Sequence, residues 1–188
     1  MMIRTFIAIT PPPALQQAIS AVREVFQPFN FPWRWVTPGQ IHLTMKFLGD
    51  IPAEQVTMLS KTMEHAVQGH TAFTLRAQSL GCFPHPARPR VLWIGLTDST
   101  HTLGLINEGL TTALMHIGFP ADDGLFHPHL TLARAQNVVR SDQFLPVLQT
   151  YQQWRFGEFP VTQFHLFQSQ LQREGALHTI LHSVTLRS

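Results

Sequence analysis

A single cysteine, Cys82, stands in 188 residues. That excludes an internal disulfide and any cysteine-based zinc site and agrees with a reducing compartment; the residue reads as a small buried side chain, not a nucleophile. Charge is also scarce, with 13% Asp, Glu, Lys and Arg against 44% hydrophobic residues, a balance that builds a core and excludes general disorder. The formal net charge of +2 does not by itself establish a nucleic-acid partner, although it is compatible with an anionic ligand. Long apolar runs are missing, and none approaches the roughly 20 residues of a membrane helix. The opening MMIRTFIAIT has an apolar run below the roughly 7–15 residues of a signal-peptide core and no small-residue cleavage site, so it reads as the first strand of a cytoplasmic protein. What is plentiful is histidine, eleven in all, a residue suited to metal, acid/base or surface roles.

The length suits one domain or two small lobes sharing a core. Hydrophobic periodicity predicts a strand over 3–9 and, after the breaker PPP, a helix with Leu15, Ala18, Ile19, Val22, Phe26 and Phe29 on one stripe. A second strand is expected at 41–48. Pro52 then opens a helix with Val56, Leu59, Met63 and Val67 inward, and a strand follows at 73–80. The proline-rich loop PHPARPR at 84–90 leads into the strand VLWIGLT. A helix over 100–117 places Leu103, Ile106, Leu110, Leu114 and Ile117 at helical spacing and ends at Gly118. Strand signals return at 128–134, 160–170 and 178–186, with 141–154 helical.

His42 and His129 each open an H-x-T, 87 residues apart. Shifting the first half of the chain by that offset lays TFIAIT on LWIGLT, with Phe6 on Trp93 and Ile7 on Ile94, and lays the helix near Ala14 on the one near His101. The match lapses where FLG at 47–49 meets RAQ, so the repeat is structural rather than a clear sequence duplication. It implies two related lobes, each giving one HxT to a shared cleft. One HxT is expected about once by accident in so histidine-rich a chain, and the strand context carries the weight. His42, Thr44 and Lys46 share one face while Ile41, Leu43, Met45 and Phe47 share the other, and His129 and Thr131 alternate with Leu130 and Leu132 in the same way. Each motif then shows an imidazole and a hydroxyl about 6–7 Å apart along the strand, within reach of one phosphate. One neutral and one protonated imidazole make a base and an acid near neutral pH, and the threonines can bond the non-bridging phosphate oxygens as charge builds up.

These segments, RTFIAI, HLTMKFLG, RPRVLWIGL, HPHLTLAR and FHLFQSQL in that order, resemble the two-histidine (2H) phosphoesterase superfamily, and within it the bacterial LigT-like RNA 2′,3′-cyclic phosphodiesterases, also called RNA 2′-5′ ligases. The resemblance covers nearly the whole chain. It implies an α+β fold of two pseudo-symmetric lobes of antiparallel sheet with outer helices around a central cleft, forming one 2H phosphoesterase domain over 1–188. It further implies that His42 and Thr44, with His129 and Thr131, are catalytic, His42 as proton donor and His129 as acceptor. Metal-independent opening of RNA terminal 2′,3′-cyclic phosphate to a 2′-phosphate would follow, with 2′-5′ joining as its reverse. No cofactor and no metal are implied. The expected partners are RNA ends or cyclic nucleotides, tRNA halves among them, with no membrane and a monomeric chain. One departure is His178, where relatives tend to carry an aromatic residue on the substrate-stacking side.

Other residues keep two readings each. Lys46, by its parity with His42, is a phosphate-side cation or part of a solvated face. Arg134 has the parity of the apolar face, so an ion pair or strand end competes with a phosphate contact. Arg88 and Arg90 either reach an RNA backbone or are surface. Trp33, Trp35 and Phe126 either stack on bases or belong to the core, and Lys46, Arg88, Arg90, Phe126 and Arg134 are taken together as the substrate-binding set. His127 and His129 form an HxH that offers a metal-hydrolase alternative, and a non-catalytic RNA-end-binding module is a third reading. Asp122 and Asp123 read as turn residues beside Gly124.

Overall fold

Among the described residues, nine strands and the helices between them are set out along the chain by the same apolar periodicities that the sequence displays. The strands are β1 (Met2–Ile9), β2 (Trp33–Trp35), β3 (Leu43–Pro52), β4 (Phe73–Phe83), β5 (Val91–Thr97), β6 (His129–Ala135), β7 (Arg155–Val161), β8 (Gln163–Gln172) and β9 (Gly175–Thr185). The helices are α1 (Pro13–Ser20), α2 (Val22–Phe26), α3 (Val56–Val67), α4 (Thr102–His116) and α5 (Ser141–Thr150). The computed structural model describes residues 1–122, 124–139, 141–172 and 175–188, so Asp123 lies outside the described residues.

Some boundaries differ from the sequence expectation for identifiable reasons. The first helical stripe is broken at Ala21 into α1 and α2 and ends in a 3-10 turn, which leaves Phe29 41% exposed and off the stripe. Pro52 closes β3 instead of opening a helix, and α3 begins after a 3-10 turn at Ala53–Gln55. β2 has only three residues, too few to show a period. β7 carries Gly157 and Pro160, which hide it as a strand; it is an edge strand, where proline is tolerated.

The strand order is β7-β4-β5-β6-β3-β1-β8-β9, every pairing antiparallel, with β2 added beside β6. The sheet therefore divides into two four-strand halves that meet between β6 and β3. That seam is narrow: the register there is a single pair, Leu43 opposite Leu130. The buried faces of α3 (Leu59, Met63, Val67) and α4 (Leu103, Ile106, Leu110, Leu114) turn inward, and one hydrophobic cluster runs from Ile3 to Leu186 through both halves.

Two strand irregularities shape the cleft. On β3, Lys46 pairs with Ile7 and Thr44 with Ala8, so Met45 is an extra residue. On β6, Ala133 pairs with Leu92 and Thr131 with Trp93, so Leu132 is an extra residue. Both bulges sit directly after an HxT. A bulge re-aims the side chains beyond it, and its unpaired backbone groups need other partners. The Asn107 side-chain amide of α4 donates to the Met45 carbonyl at 3.1 Å, and the Val36 amide donates to the Leu132 carbonyl at 2.8 Å.

The registers also correct the repeat alignment. The 87-residue shift holds for β3 and β6, but Phe6 pairs with Phe47, whose image Arg134 pairs with Val91. Phe6 thus corresponds to Val91, and Trp93 to Ala8, an offset of 85. The slip of two residues keeps each side chain on its face, so the simple shift looked sound.

Candidate active site

His42 and His129 stand one residue before the two leucines of the seam. Carrying the antiparallel register one residue either side of Leu43 and Leu130 sets His42 opposite Thr131 and Thr44 opposite His129. The two histidines are then diagonal neighbours, about 7–8 Å apart by strand geometry, close enough to bracket one phosphorus atom. All four side chains line one cleft of about 1660 Å³.

Each imidazole is held in the same way. His42 Nδ1 lies 2.7 Å from the Gln40 carbonyl, and His129 Nδ1 lies 2.6 Å from the His127 carbonyl. A carbonyl only accepts, so Nδ1–H is the donor in both rings and Nε2 is left for chemistry in the cleft. Gln40 is itself anchored, its side-chain amide donating to the Ala176 carbonyl of β9.

Aromatic rings fix the two imidazoles from the side. Phe6 lies 4.8 Å from His42 between ring centroids, and His178 meets His42 edge-on at 5.2 Å. Phe83 meets His129 edge-on at 5.0 Å, with Trp93 at 6.2 Å. Trp93 lies flat across Gly81, where an added Cβ would come within 2.1 Å of the indole, so only glycine fits beneath it.

Burial dominates the titration of both rings. It pushes His42 down to about 4, opposed by the Gln40 carbonyl and aided by the charges of His178, Arg134 and His129. His129 is lowered by burial too, opposed by the His127 carbonyl and aided by the charges of His127 and Arg134. An empty cleft therefore holds two neutral imidazoles at neutral pH, and an anion between them would favour a proton on one.

The family model described as LigT like Phosphoesterase matches the chain twice in succession, over residues 9–93 and 94–178. The chain belongs to the LigT-like phosphoesterase family. Its tandem match has the 85-residue offset that the β1 and β5 registers give. The chain is 31% identical to the RNA 2′,3′-cyclic phosphodiesterase of Thermus thermophilus, covering 98% of this chain and 90% of that one. Among solved structures, TT0787 of Thermus thermophilus superposes with a TM-score of 0.83 at 28% identity, covering 98% of both chains. E. coli LigT complexed with 3′-AMP superposes at 0.81 with 26% identity over the full length of both.

Within this LigT-like phosphoesterase the bulges overturn two parity readings. Phe47, expected on the inner face, is 61% exposed and lines the cleft; Lys46 also lines the cleft but is buried at 3%, not part of a solvated face. Lys46 Nζ donates to the Pro120 carbonyl at 2.7 Å and pairs with Asp122 at 3.0 Å, so it ties the loop before the second motif to the strand of the first. Arg134, expected on the apolar face, is exposed and lines the cleft because Leu132 is the extra residue and Ala133 takes the buried place.

Phe126 and Trp35 are half-buried cleft residues, and Trp33 belongs to the core beside Phe144 at 5.8 Å. Arg88 and Arg90 are exposed in their loop and do not line the cleft. Burial raises the Cys82 thiol to about 11, well away from thiolate chemistry. His127 spends its carbonyl on His129 and packs its ring on Trp93 at 4.8 Å; among the described residues, no three His, Cys, Asp or Glu side chains form a metal-holding group. Among the described residues, no helix is long and apolar enough to cross a membrane. Sequence reading missed Arg34 and Phe47 as cleft residues. The signal for Arg34 was present, an arginine between two tryptophans, but three residues carry no usable alternation.

Proposed function

We propose that this LigT-like phosphoesterase opens the 2′,3′-cyclic phosphate at an RNA end by acid/base catalysis with His42 and His129. The observation that carries the reading is the matched pair of imidazoles, each held through Nδ1 by the carbonyl two residues upstream, on either side of the seam. His129 Nε2 takes a proton from water as the water oxygen bonds to phosphorus. The bond from phosphorus to O3′ breaks, and imidazolium His42 gives its Nε2 proton to O3′. A 2′-phosphate and a free 3′-hydroxyl result. Thr44 and Thr131 hydrogen-bond the non-bridging oxygens, on which negative charge concentrates in the transition state.

The names of the curated relatives and the 3′-AMP bound by E. coli LigT support this substrate class. Run backwards, with a ribose hydroxyl replacing water, the same groups join RNA ends through a 2′-5′ bond, and tRNA halves are candidate substrates. The tandem family match and the common hydrophobic cluster support a single two-lobed domain over 1–188. We take the chain to act as a monomer in the cytoplasm and to need no cofactor.

The test is turnover of an RNA ended in a 2′,3′-cyclic phosphate in excess EDTA, with identification of the phosphate position in the product. A 2′-phosphate is expected, with His42→Ala and His129→Ala each lowering kcat by roughly 10²–10⁴. Rates near wild type in either variant would sink the assignment. Loss of turnover on chelation would favour the metal-hydrolase reading, and binding without turnover would favour an end-binding module.

A further inference from the structure

One edge of β6 is shared by two strands. Its first part meets β3 at Leu130, and its last part meets β2, with Trp35 opposite Ala133, Arg34 opposite Arg134 and Trp33 opposite Ala135. Arg34 and Arg134 are thus direct cross-strand partners. Like charges in that relation repel and weaken an antiparallel pair. Both side chains are exposed in the cleft, and among the described residues neither has an ion-pair or hydrogen-bond partner within the protein. A paired-arginine arrangement of this kind is relieved by an anion between the two guanidinium groups, which bind phosphate through paired N–H donors.

The position along the edge says which anion. The seam at Leu43 and Leu130 carries the two histidines, and the arginine pair lies four residues further along β6, about 13 Å of strand. The Arg134 charge is close enough to lower both histidines, while Arg34 lies beyond it on the added strand. The opposite end of the cleft is not basic in the same way, because the repeat image of Arg134 is the exposed Phe47. Arg4, the exposed arginine that lines that end, stands opposite Asp50 of β3, so the paired arginines lie in one direction only. The cleft volume of about 1660 Å³ also exceeds the roughly 300–1,000 Å³ of a small-molecule site.

We propose that Arg34, beside Arg134, holds the phosphodiester preceding the terminal cyclic nucleotide, so that the cleft selects an RNA end over a free cyclic mononucleotide. This rests on the cyclic-phosphate reaction above. Because β2 is where the second phosphate would be gripped, the site is a specificity device separate from the proton transfers.

The experiment compares kcat/KM for 2′,3′-cyclic AMP with kcat/KM for a short RNA ended in a 2′,3′-cyclic phosphate, across a range of KCl. Wild type is expected to favour the RNA at least tenfold. Arg34→Gln should lower that ratio by about tenfold, mainly through KM, and make the log–log salt slope for the RNA shallower by about 0.7, the value of one single-strand phosphate contact. Arg34→Lys, which keeps the charge, should retain the slope. An unaltered ratio and slope in Arg34→Gln would overturn the proposal, as would equal efficiency on both substrates in wild type. If wild type turns over neither substrate, the cyclic-phosphate reaction itself fails, an outcome distinct from loss of the Arg34 effect.

Discussion

Leu43 and Leu130 face each other across the seam between the halves of the sheet, and they are the same position of the two repeats. A pseudo-twofold axis passes between them. Because they are paired antiparallel, each motif's histidine is set opposite the other motif's threonine, so neither lobe builds a complete site alone. The arrangement presents two imidazoles to one cleft from one repeated strand. What distinguishes the two imidazoles is their surroundings: His178 stands edge-on to His42, and His127 and Trp93 stand beside His129.

The half-buried His42 makes fold stability depend on pH. Its folded value of about 4 lies below the ordinary 6.5, so the unfolded chain binds the extra proton between those limits. The stabilising contribution is complete above pH 6.5 and lost as pH falls towards 4, on the order of 3 kcal/mol over the whole window. His129, His165 and His178 are lowered too, by burial, and act with the same sign. Urea denaturation of wild type at several pH values should show stability rising with pH through this range, and His42→Ala should flatten the rise. An identical slope in the variant would mean that His42 titrates normally in the fold.

Substrate should reverse the titration shift. A phosphate anion between the imidazoles favours their protonated forms, so both pKa values rise on binding. Profiles of kcat/KM report the free enzyme and those of kcat the complex. The limbs of the kcat profile are therefore expected at higher pH than those of kcat/KM. Superposable limbs would place the phosphate away from the histidines.

Much of this site was legible in the chain, and the illegible part has one physical origin. The two HxT motifs, their strands and the two-lobed α+β plan follow from alternation and from the repeat, and the resemblance to LigT-like proteins drew on the same segments. The residues misplaced by parity, Phe47 and Arg134, both lie just past a bulge. Alternation assumes an unbroken pleat, and one extra residue at Met45 or Leu132 reverses the faces just beyond it, until in β3 a second extra residue, Leu48, restores them and Ile51 is buried. The lapse of the repeat at FLG against RAQ falls at these same positions. It marks where the lobes diverge, an aromatic ring at one end of the cleft and a guanidinium at the other.

Lys46 is expected to act as a strut. Its buried ammonium joins β3 to the Pro120 carbonyl and Asp122. Lys46→Met keeps most of the volume but leaves that carbonyl without its donor, a cost of about 1–3 kcal/mol. Asp122→Asn should cost less, since Asp122 is exposed and keeps water as a partner. Chemical denaturation of the two variants checks the order, and equal, negligible losses would show that the loop is held by other contacts.

Asn107 offers the cleanest separation of cleft shape from chemistry. Its side-chain amide donates to the carbonyl of Met45, the extra residue of the β3 bulge, from a helix that only borders the cleft. In the second lobe the matching carbonyl, that of Leu132, is held by the backbone amide of Val36, which substitution cannot remove. Asn107→Ala should therefore relax one bulge and leave the other intact. The expected stability loss is about 1–2 kcal/mol for an unmet carbonyl. If the bulge directs Phe47 and Lys46, the variant should also lose kcat/KM by several-fold, while the kcat pH profile, which the proposed mechanism assigns to His42 and His129, keeps its shape. A fall in stability with full kcat/KM would show that the cleft holds its form without this bond, and the bulge would then be fixed by strand packing alone.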